Sequence, residues 1–267
     1  SALTLISSDS GCAEPRSTVT FPGGVMYQGD GGIYVLTRGM TTSFIGEGIR
    51  DITNLYPVIT SAVAVPSKTQ VRFTATTADG ASGVIIIFDY RVNQWMYWSV
   101  GGAPFVGAAL HRGAYFTVEE TGQVWREDVS TWKDGADNTY YPMSVKTAWL
   151  QAAKQSGWQR VYRATALCEN KAPMNMRMTV SNDFNATTSQ VASWDDAAIA
   201  TFPEPPRMQP MIHVKRQQCQ AVQLEIMDEV PTSGIGATSG EGFTIAGFSL
   251  EVGLKRGMVK VSKQQRS

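Results

Sequence analysis

The sequence predicts an all-β protein, with partial β-propeller-like blades at residues 1–149 followed by a β-sandwich-like domain at residues 150–267. Three observations lead there. Apolar and polar residues alternate at period two through most of the chain, turn residues recur at short intervals, and the first half has almost no apolar residues at helical spacing. With 267 residues, 43% of them apolar, there is enough chain for about two domains with a core each.

In the first half, Gly24 to Leu36 reads as a β-hairpin. Val25 and Tyr27 alternate with their neighbours, Gly29-Asp30-Gly31-Gly32 turns the chain, and Ile33 and Val35 resume the pattern. A second version runs from Val84 to Tyr90, turns around Arg91 to Gln94 and returns from Trp95 to Val100. In a third, Tyr115 to Val118 precedes the turn Glu119-Glu120-Thr121-Gly122 and then Val124 and Trp125. Aligned, they define a repeated antiparallel meander at residues 17–49, 58–100 and 105–149. The middle copy predicts strands Val58 to Val65, Gln70 to Thr76, Val84 to Tyr90 and Trp95 to Val100. A repeat of about 40 residues with four strands has the size of one propeller blade. Known rings use about four to eight blades. Three therefore predict either a C-terminal fragment of a longer protein or a ring completed by other strands, and Ser1 in place of an initiator Met agrees with a fragment or a processed chain.

In the second half, Ala148 to Gln155 suits one or two helical turns before Gly157. Strands then return at Val161 to Leu167, Met174 to Ser181, Cys219 to Met227 and Phe248 to Leu254. Met174, Met176, Met178 and Val180 share one face while Asn175, Arg177, Thr179 and Ser181 share the other. Val222, Leu224 and Ile226 repeat this logic, as do Phe248, Leu250, Val252 and Leu254. Two long loops are expected, Asn182 to Pro210 and Asp228 to Gly242. Alternating strands with polar loops predict a sandwich.

Twenty-three Lys and Arg balance 23 Asp and Glu, so no bulk field draws the chain to nucleic acid or anionic membrane. No apolar run nears the roughly 18 residues a membrane helix needs, and Ser1 to Ser10 has no leader pattern. Cys12, Cys168 and Cys219 are odd in number and widely spaced, which predicts three buried thiols in a reducing compartment.

The sequence carries little that marks chemistry. No GxxxxGK[ST], HExxH, GxSxG or EF-hand loop occurs. The acidic pairs Glu119-Glu120, Glu127-Asp128, Asp195-Asp196 and Asp228-Glu229 resemble a glycosidase's two carboxylates only in number. Strand neighbours point to opposite faces, so solvated turns are expected. Ser7, Asp9 and Gly11 imitate the start of a sialidase Asp-box, but Ala13-Glu14 stands where that motif has Thr-Trp. Asp134, Asp137 and Asn138 fit no standard calcium loop and are read as a turn. His111, His213 and a cysteine would form a zinc site only by coincidence of fold. No catalytic residue, cofactor-binding residue or metal ligand is therefore expected. Trp95, Tyr97, Trp98, Tyr115, Phe116, Trp125, Trp132, Tyr140, Tyr141, Trp149 and Trp158 are expected to pack between sheets rather than to stack sugars or bases. Lys255, Arg256, Lys260, Lys263 and Arg266 form a basic, solvated tail.

Several stretches, in order, resemble one family. They include Pro15-Arg16-Ser17, Gly24 to Gln28, Gly32 to Leu36 with Arg38, Phe44-Ile45-Gly46, and Phe88-Asp89-Tyr90 ahead of Gln94-Trp95. Gly122 to Trp125, Thr147 to Leu150, Gly157 to Arg163, Asp183-Phe184 and Leu250 to Lys255 continue the series. Together they resemble the propeller-bearing tail nozzle, or tail tubular, proteins of short-tailed bacteriophages (podoviruses). The resemblance implies a structural component of the virion tail, made in the host cytoplasm, with no catalytic residues. It implies a ring of six subunits meeting other tail subunits and adaptor proteins, through which DNA leaves. The family's proteins are usually much longer. The alternative is a carbohydrate-binding or carbohydrate-cleaving propeller recognising a host surface, suggested by the tryptophans and acidic turns.

Overall fold

Asp30-Gly31 closes the first predicted hairpin, with Gly29 paired to Gly32 on either side of it. It is a two-residue connection whose positive φ, 126°, falls on Gly32, where a residue without a Cβ accommodates it. The computed structural model describes residues 10–99, 103–127, 142–152, 158–171, 174–195, 198–199, 207–229 and 242–255, and it is all-β as expected. The chain divides into two units, Ser1–Glu127 and Asp128–Ser267.

In the first unit, β1 (Glu14–Phe21), β2 (Gly24–Gly29), β3 (Gly32–Thr37) and β4 (Thr42–Phe44) form one antiparallel meander. A 3-10 turn at Gly46–Ile49 runs into α1 (Arg50–Leu55), which lays Ile52 and the following Tyr56 against the core. Six residues are too few for a helical period to show in the sequence. The second meander, β5 (Val58–Val65), β6 (Gln70–Thr76), β7 (Gly83–Asp89) and β8 (Gln94–Ser99), matches the predicted strands within a residue. The third has three strands, β9 (Phe105–His111), β10 (Ala114–Glu119) and β11 (Val124–Arg126).

These sheets stack. Met26, Ile33 and Val35 of the first meet Val71, Phe73, Ala75, Val84, Ile86 and Phe88 of the second. On the opposite face, Val65, Ile85 and Ile87 meet Tyr115 of the third. Strand β7 is thus buried at every position, which explains why Val84 to Phe88 is an unbroken apolar run rather than an alternation. Each buried Ile contributes roughly 2 kcal/mol. The leading strands β1, β5 and β9 lie against one another, β1 on β5 and β5 on β9, while β4 and β8 make no comparable approach. The sheets therefore fan out from the line where their first strands meet.

In the second unit, β12 (Ser144–Lys146), β13 (Trp158–Asn170), β14 (Asn175–Asn182), β15 (Asn185–Trp194), β16 (Arg207–Met208), β17 (Met211–His213), β18 (Gln218–Cys219), β19 (Val222–Glu229) and β20 (Phe243–Lys255) build two sheets. One has the order β12-β19-β14-β15. In the other, β13 pairs with β20 along one edge and with β16, β17 and β18 along the other. Their inner faces share one core. Met176, Met178 and Val180 with Val222, Leu224 and Ile226 meet Val161, Ala164, Ala166 and Cys168, with Met174 and Met208 completing it. That is a β-sandwich, with the inward residues the alternation assigned.

Five expectations differ from this structure. The predicted third repeat at 105–149 has no fourth strand among the described residues. Instead β12, within it, pairs with β19 of the sandwich. The units accordingly divide after Glu127, not after residue 149. The predicted loop Asn182 to Pro210 contains β15 and β16. Ala148 to Gln155 is not helical where described, since Leu150 bridges to Val222, and its last three residues lie outside the described residues. Finally, Leu250 and Val252 pack on the core as expected, but Phe248 stays 37% exposed.

Candidate functional site

The most chemically loaded cluster sits between the second and third sheets of the first unit. Strand β6 turns Val71, Phe73 and Ala75 to one core, so Arg72 faces the other with its side chain fully buried. Trp98 of β8 and Tyr115 of β10 flank its guanidinium, each ring centroid 4.6 Å from Cζ. Glu127, just beyond β11, receives Nη1 at 3.0 Å on Oε2 and Nη2 at 3.2 Å on Oε1. Gln70 Oε1 accepts from Nε at 3.0 Å and from Nη2 at 2.7 Å, and Lys68 Nζ donates to Glu127 Oε1 at 2.7 Å.

This arrangement makes the burial of Arg72 tolerable. A lone buried cation is prohibitively costly, whereas a bidentate carboxylate and two ring faces supply charge, donor–acceptor and dispersion partners together. Burial alone would raise the Glu127 carboxyl, but the hydrogen bonds and charges of Arg72 and Lys68 outweigh it and hold Glu127 below its ordinary value. Burial pushes the Tyr115 hydroxyl well up, and that hydroxyl has no hydrogen-bond partner in the structure. The cluster is a clamp between sheets, with no acid–base pair poised at an open cavity.

Other aromatic side chains act in the same way. Trp95 lies 4.7 Å from Phe88 and 6.5 Å from Phe73, ring centre to ring centre, and its Nε1 donates at 2.9 Å to the Ile45 carbonyl, tying the second sheet to the end of the first. Trp125 donates to Glu119 Oε1 at 2.7 Å. His111 meets the edge of Phe116, and Trp149 packs on Phe184. Tyr97 and Trp158 are 52% and 43% exposed. Trp132, Tyr140 and Tyr141 lie outside the described residues.

The side chains of five described acidic residues in the four pairs have local partners, and Glu120 contributes a backbone N–H to the Pro104 carbonyl. Glu119 accepts from Trp125 and Thr121, and Glu127 belongs to the clamp. Asp195 caps the short turn at Ala198 with an acceptor 2.7 Å from its N–H. Asp228, in β19 with Glu229, accepts from the Met143 backbone, and Glu229 pairs with Arg177 at 2.7 Å. Asp128 and Asp196 are outside the described residues, as are Ser7, Asp9, Asp134, Asp137, Asn138 and Arg256 to the end.

His111 ends β9, and His213 ends β17, where it pairs with Arg163. Among the described residues no three His, Cys, Asp or Glu converge as a metal site. All three cysteines are free; Cys168 and Cys219 are buried, but Cys12 is exposed, contrary to expectation. It precedes β1, the edge strand of the first sheet. Burial pushes the Cys168 thiol up to about 11 and also raises Cys219.

Sequence reasoning passed over Arg72 and Lys68 entirely. A signal existed, because the unbroken apolar β7 means both faces of its sheet are covered, so a charged residue on neighbouring β6 must find a buried counter-charge.

Fold and cluster together define an all-β chain that combines a fan of blade-like sheets with a sandwich. No family profile matches the sequence, and no curated protein matches it. Among solved structures it is similar to TmCBM61 in complex with β-1,4-galactotriose, at 11% identity over 72% of this chain and 80% of that one, with TM-score 0.25. It is also similar to exo-β-1,3-galactanase from Phanerochaete chrysosporium with galactose, at 9% identity over 88% of this chain and 69% of that one, with TM-score 0.28. Likeness at that level carries no inference about ligand or activity. Among the described residues no helix is long and apolar enough to cross a membrane.

Proposed function

We propose that this chain is a structural component of a short-tailed phage tail, a nozzle or tubular subunit forming part of the DNA-ejection conduit. The ordered sequence resemblance to that family supports the reading. The single structural observation that carries it is how the large side chains are spent. Arg72 is held between Trp98 and Tyr115, and Trp95 is hydrogen-bonded across sheets, so the aromatic residues stiffen a scaffold. The chain's zero formal charge suits a wall along which DNA slides without sticking. The test is imaging and protein mass spectrometry of purified phage particles of the type that encodes this chain. Density for both units in the tail, at a ring-like stoichiometry, is the expected outcome, and absence of the chain from the particle overturns it.

One observation favours a second reading, carbohydrate recognition. Trp158, Arg160 and Tyr162 share the outward side of β13, with Trp158 43% and Tyr162 38% exposed. A glycan array of the wild type and of Trp158→Ala separates the two, since binding lost by the variant would support the second.

A further inference from the structure

Two Asp-Gly pairs lie in hairpin turns of the first unit, Asp30-Gly31 between β2 and β3 and Asp79-Gly80 between β6 and β7. An aspartate followed by glycine can close on itself. The glycine nitrogen, unshielded because its residue has no Cβ, attacks the aspartate Cγ, a five-membered succinimide forms and one water leaves. Solvent water then opens the ring at either carbonyl, giving back aspartate or leaving isoaspartate, in which the main chain runs through the side-chain Cβ and Cγ. The water lost in the first step is regained in the second, and no electrons are exchanged. Closure needs a carboxyl that nothing pins and an amide nitrogen not already committed as a donor.

The fold treats the two pairs oppositely. Asp79 Oδ1 accepts from the Thr77 hydroxyl at 2.5 Å and from the Ala81 N–H at 3.1 Å, a turn built on the aspartate side chain itself. The Gly80 N–H, which would have to attack, donates to the Thr77 carbonyl at 2.9 Å. The Thr77 bond first, and the Ala81 bond after it, hold the Asp79 carboxyl below its ordinary value, so it stays ionised and its oxygen leaves poorly. Asp30 and Gly31 are both exposed. Among the described residues nothing donates to the Asp30 carboxylate, and no backbone carbonyl takes the Gly31 N–H.

We propose that Asp30-Gly31 is a site of spontaneous covalent modification, isoaspartate formed in the folded chain, and that the fold suppresses the same reaction at Asp79-Gly80. The inference goes beyond the tail reading and does not depend on it. Its product bears on the first sheet. Isoaspartate adds one main-chain atom between Gly29 and Gly32, the pair that closes the β2–β3 register. The turn lies close over Tyr34, since a Cβ on Gly31 would stand 2.8 Å from the Tyr34 hydroxyl oxygen and one on Gly29 3.1 Å from its ring. A lengthened turn therefore shifts against Tyr34, whose ring stacks on Tyr27 at 5.8 Å.

The test holds the whole folded chain at neutral pH in heavy-oxygen water for several weeks, then digests it with trypsin in ordinary water. The two pairs fall in separate peptides, 17–38 and 73–91. Mass spectrometry reads a heavy oxygen for each passage through the ring, and fragmentation tells isoaspartate from aspartate. Label and isoaspartate are expected in peptide 17–38, with several-fold less in 73–91, whereas in the urea-unfolded chain the two should label alike. Asp30→Glu, which would need a six-membered ring, is expected to remove both signals from 17–38, and Thr77→Val, which takes a donor from Asp79, to raise the label in 73–91. No label at Asp30, equal native labelling at the two sites, or a native ratio no different from that of the unfolded chain overturns the inference.

Discussion

Glu127 holds Arg72 side-on, each carboxylate oxygen facing one guanidinium nitrogen at 3.0 and 3.2 Å, although 55 residues separate them. The carboxylate stands where the chain leaves the third sheet, and the guanidinium is rooted in the middle of the second. One ion pair therefore fixes how the two sheets lie, and it does so with its cation fully out of water and its anion 18% exposed.

Removing one partner is expected to cost more than removing both. Glu127→Leu strands a buried cation and should lower the stability of the first unit by about 3 kcal/mol. Arg72→Met leaves Glu127 its Lys68 contact and some water, and should cost less. The double variant should fall well short of the sum, which a double-mutant cycle by urea unfolding measures. Additive losses would mean the two side chains act independently.

The same pair sets a pH dependence. Folding lowers the Glu127 value below its ordinary 4.5. Its contribution is therefore fully present above about pH 4.5 and shrinks as pH falls through the lowered folded value, where the unfolded state binds the proton first. Unfolding free energies of the wild type and Glu127→Gln, measured from pH 7 down to about pH 3, should converge on the acid side. A constant gap would show that the charge of Glu127 is not what matters.

Trp95→Phe keeps a ring against Phe88 but leaves the Ile45 carbonyl without its indole donor. A loss of about 1–2 kcal/mol is expected in the first unit alone, read as an earlier transition in its thermal melt. Tyr97→Phe, at an exposed position on the same strand, should change little.

Thiol chemistry should sort the three cysteines by cover. In the native chain Cys12 is expected to react with a thiol reagent at once, while Cys168 and Cys219 wait for unfolding, because burial both hides them and keeps them protonated. Three equivalents reacting at one rate would contradict the packing of the sandwich core.

How far the sequence announced all this depends on where each signal comes from. Strands β5 to β8 and β14 were legible because short turns bound them and their patterning, period two in β14 and an unbroken apolar run in β7, is local. Strand β15 was not, because Asn185 to Trp194 is rich in small polar residues and pairs on one side only, with β14. Its turn, Asp183-Phe184, has φ of 57° and 58° without a glycine to mark it. The third repeat misled because an alternating segment does not say which sheet it joins; β12 reads like a blade strand and pairs with β19. The clamp was invisible for a similar reason, since a buried ion pair between residues 72 and 127 leaves no periodic trace. That rings would pack rather than line a cavity was legible for Trp95, Trp125 and Tyr115, whereas Tyr97 and Trp158 remain on the surface.

Gly24 supplies the sharpest backbone test. Its φ is +141°, and a Cβ there would stand 2.1 Å from the Leu36 carbonyl oxygen, the backbone of its own hairpin partner β3. A backbone atom held in a sheet cannot swing aside as a side chain can, so Gly24→Ala must either distort the β2–β3 ladder or force an L-residue into a region it rarely occupies. A loss of roughly 3 kcal/mol is expected, combining strain with broken pairing. Gly39, in the turn between β3 and β4, is the matched control. A Cβ there meets only Thr37 Oγ1 at 3.7 Å, an ordinary contact, so Gly39→Ala should be neutral or slightly stabilising through the unfolded chain. Urea unfolding of the two variants side by side decides it, and equal stabilities would mean that β2 and β3 do not approach as closely as the register places them.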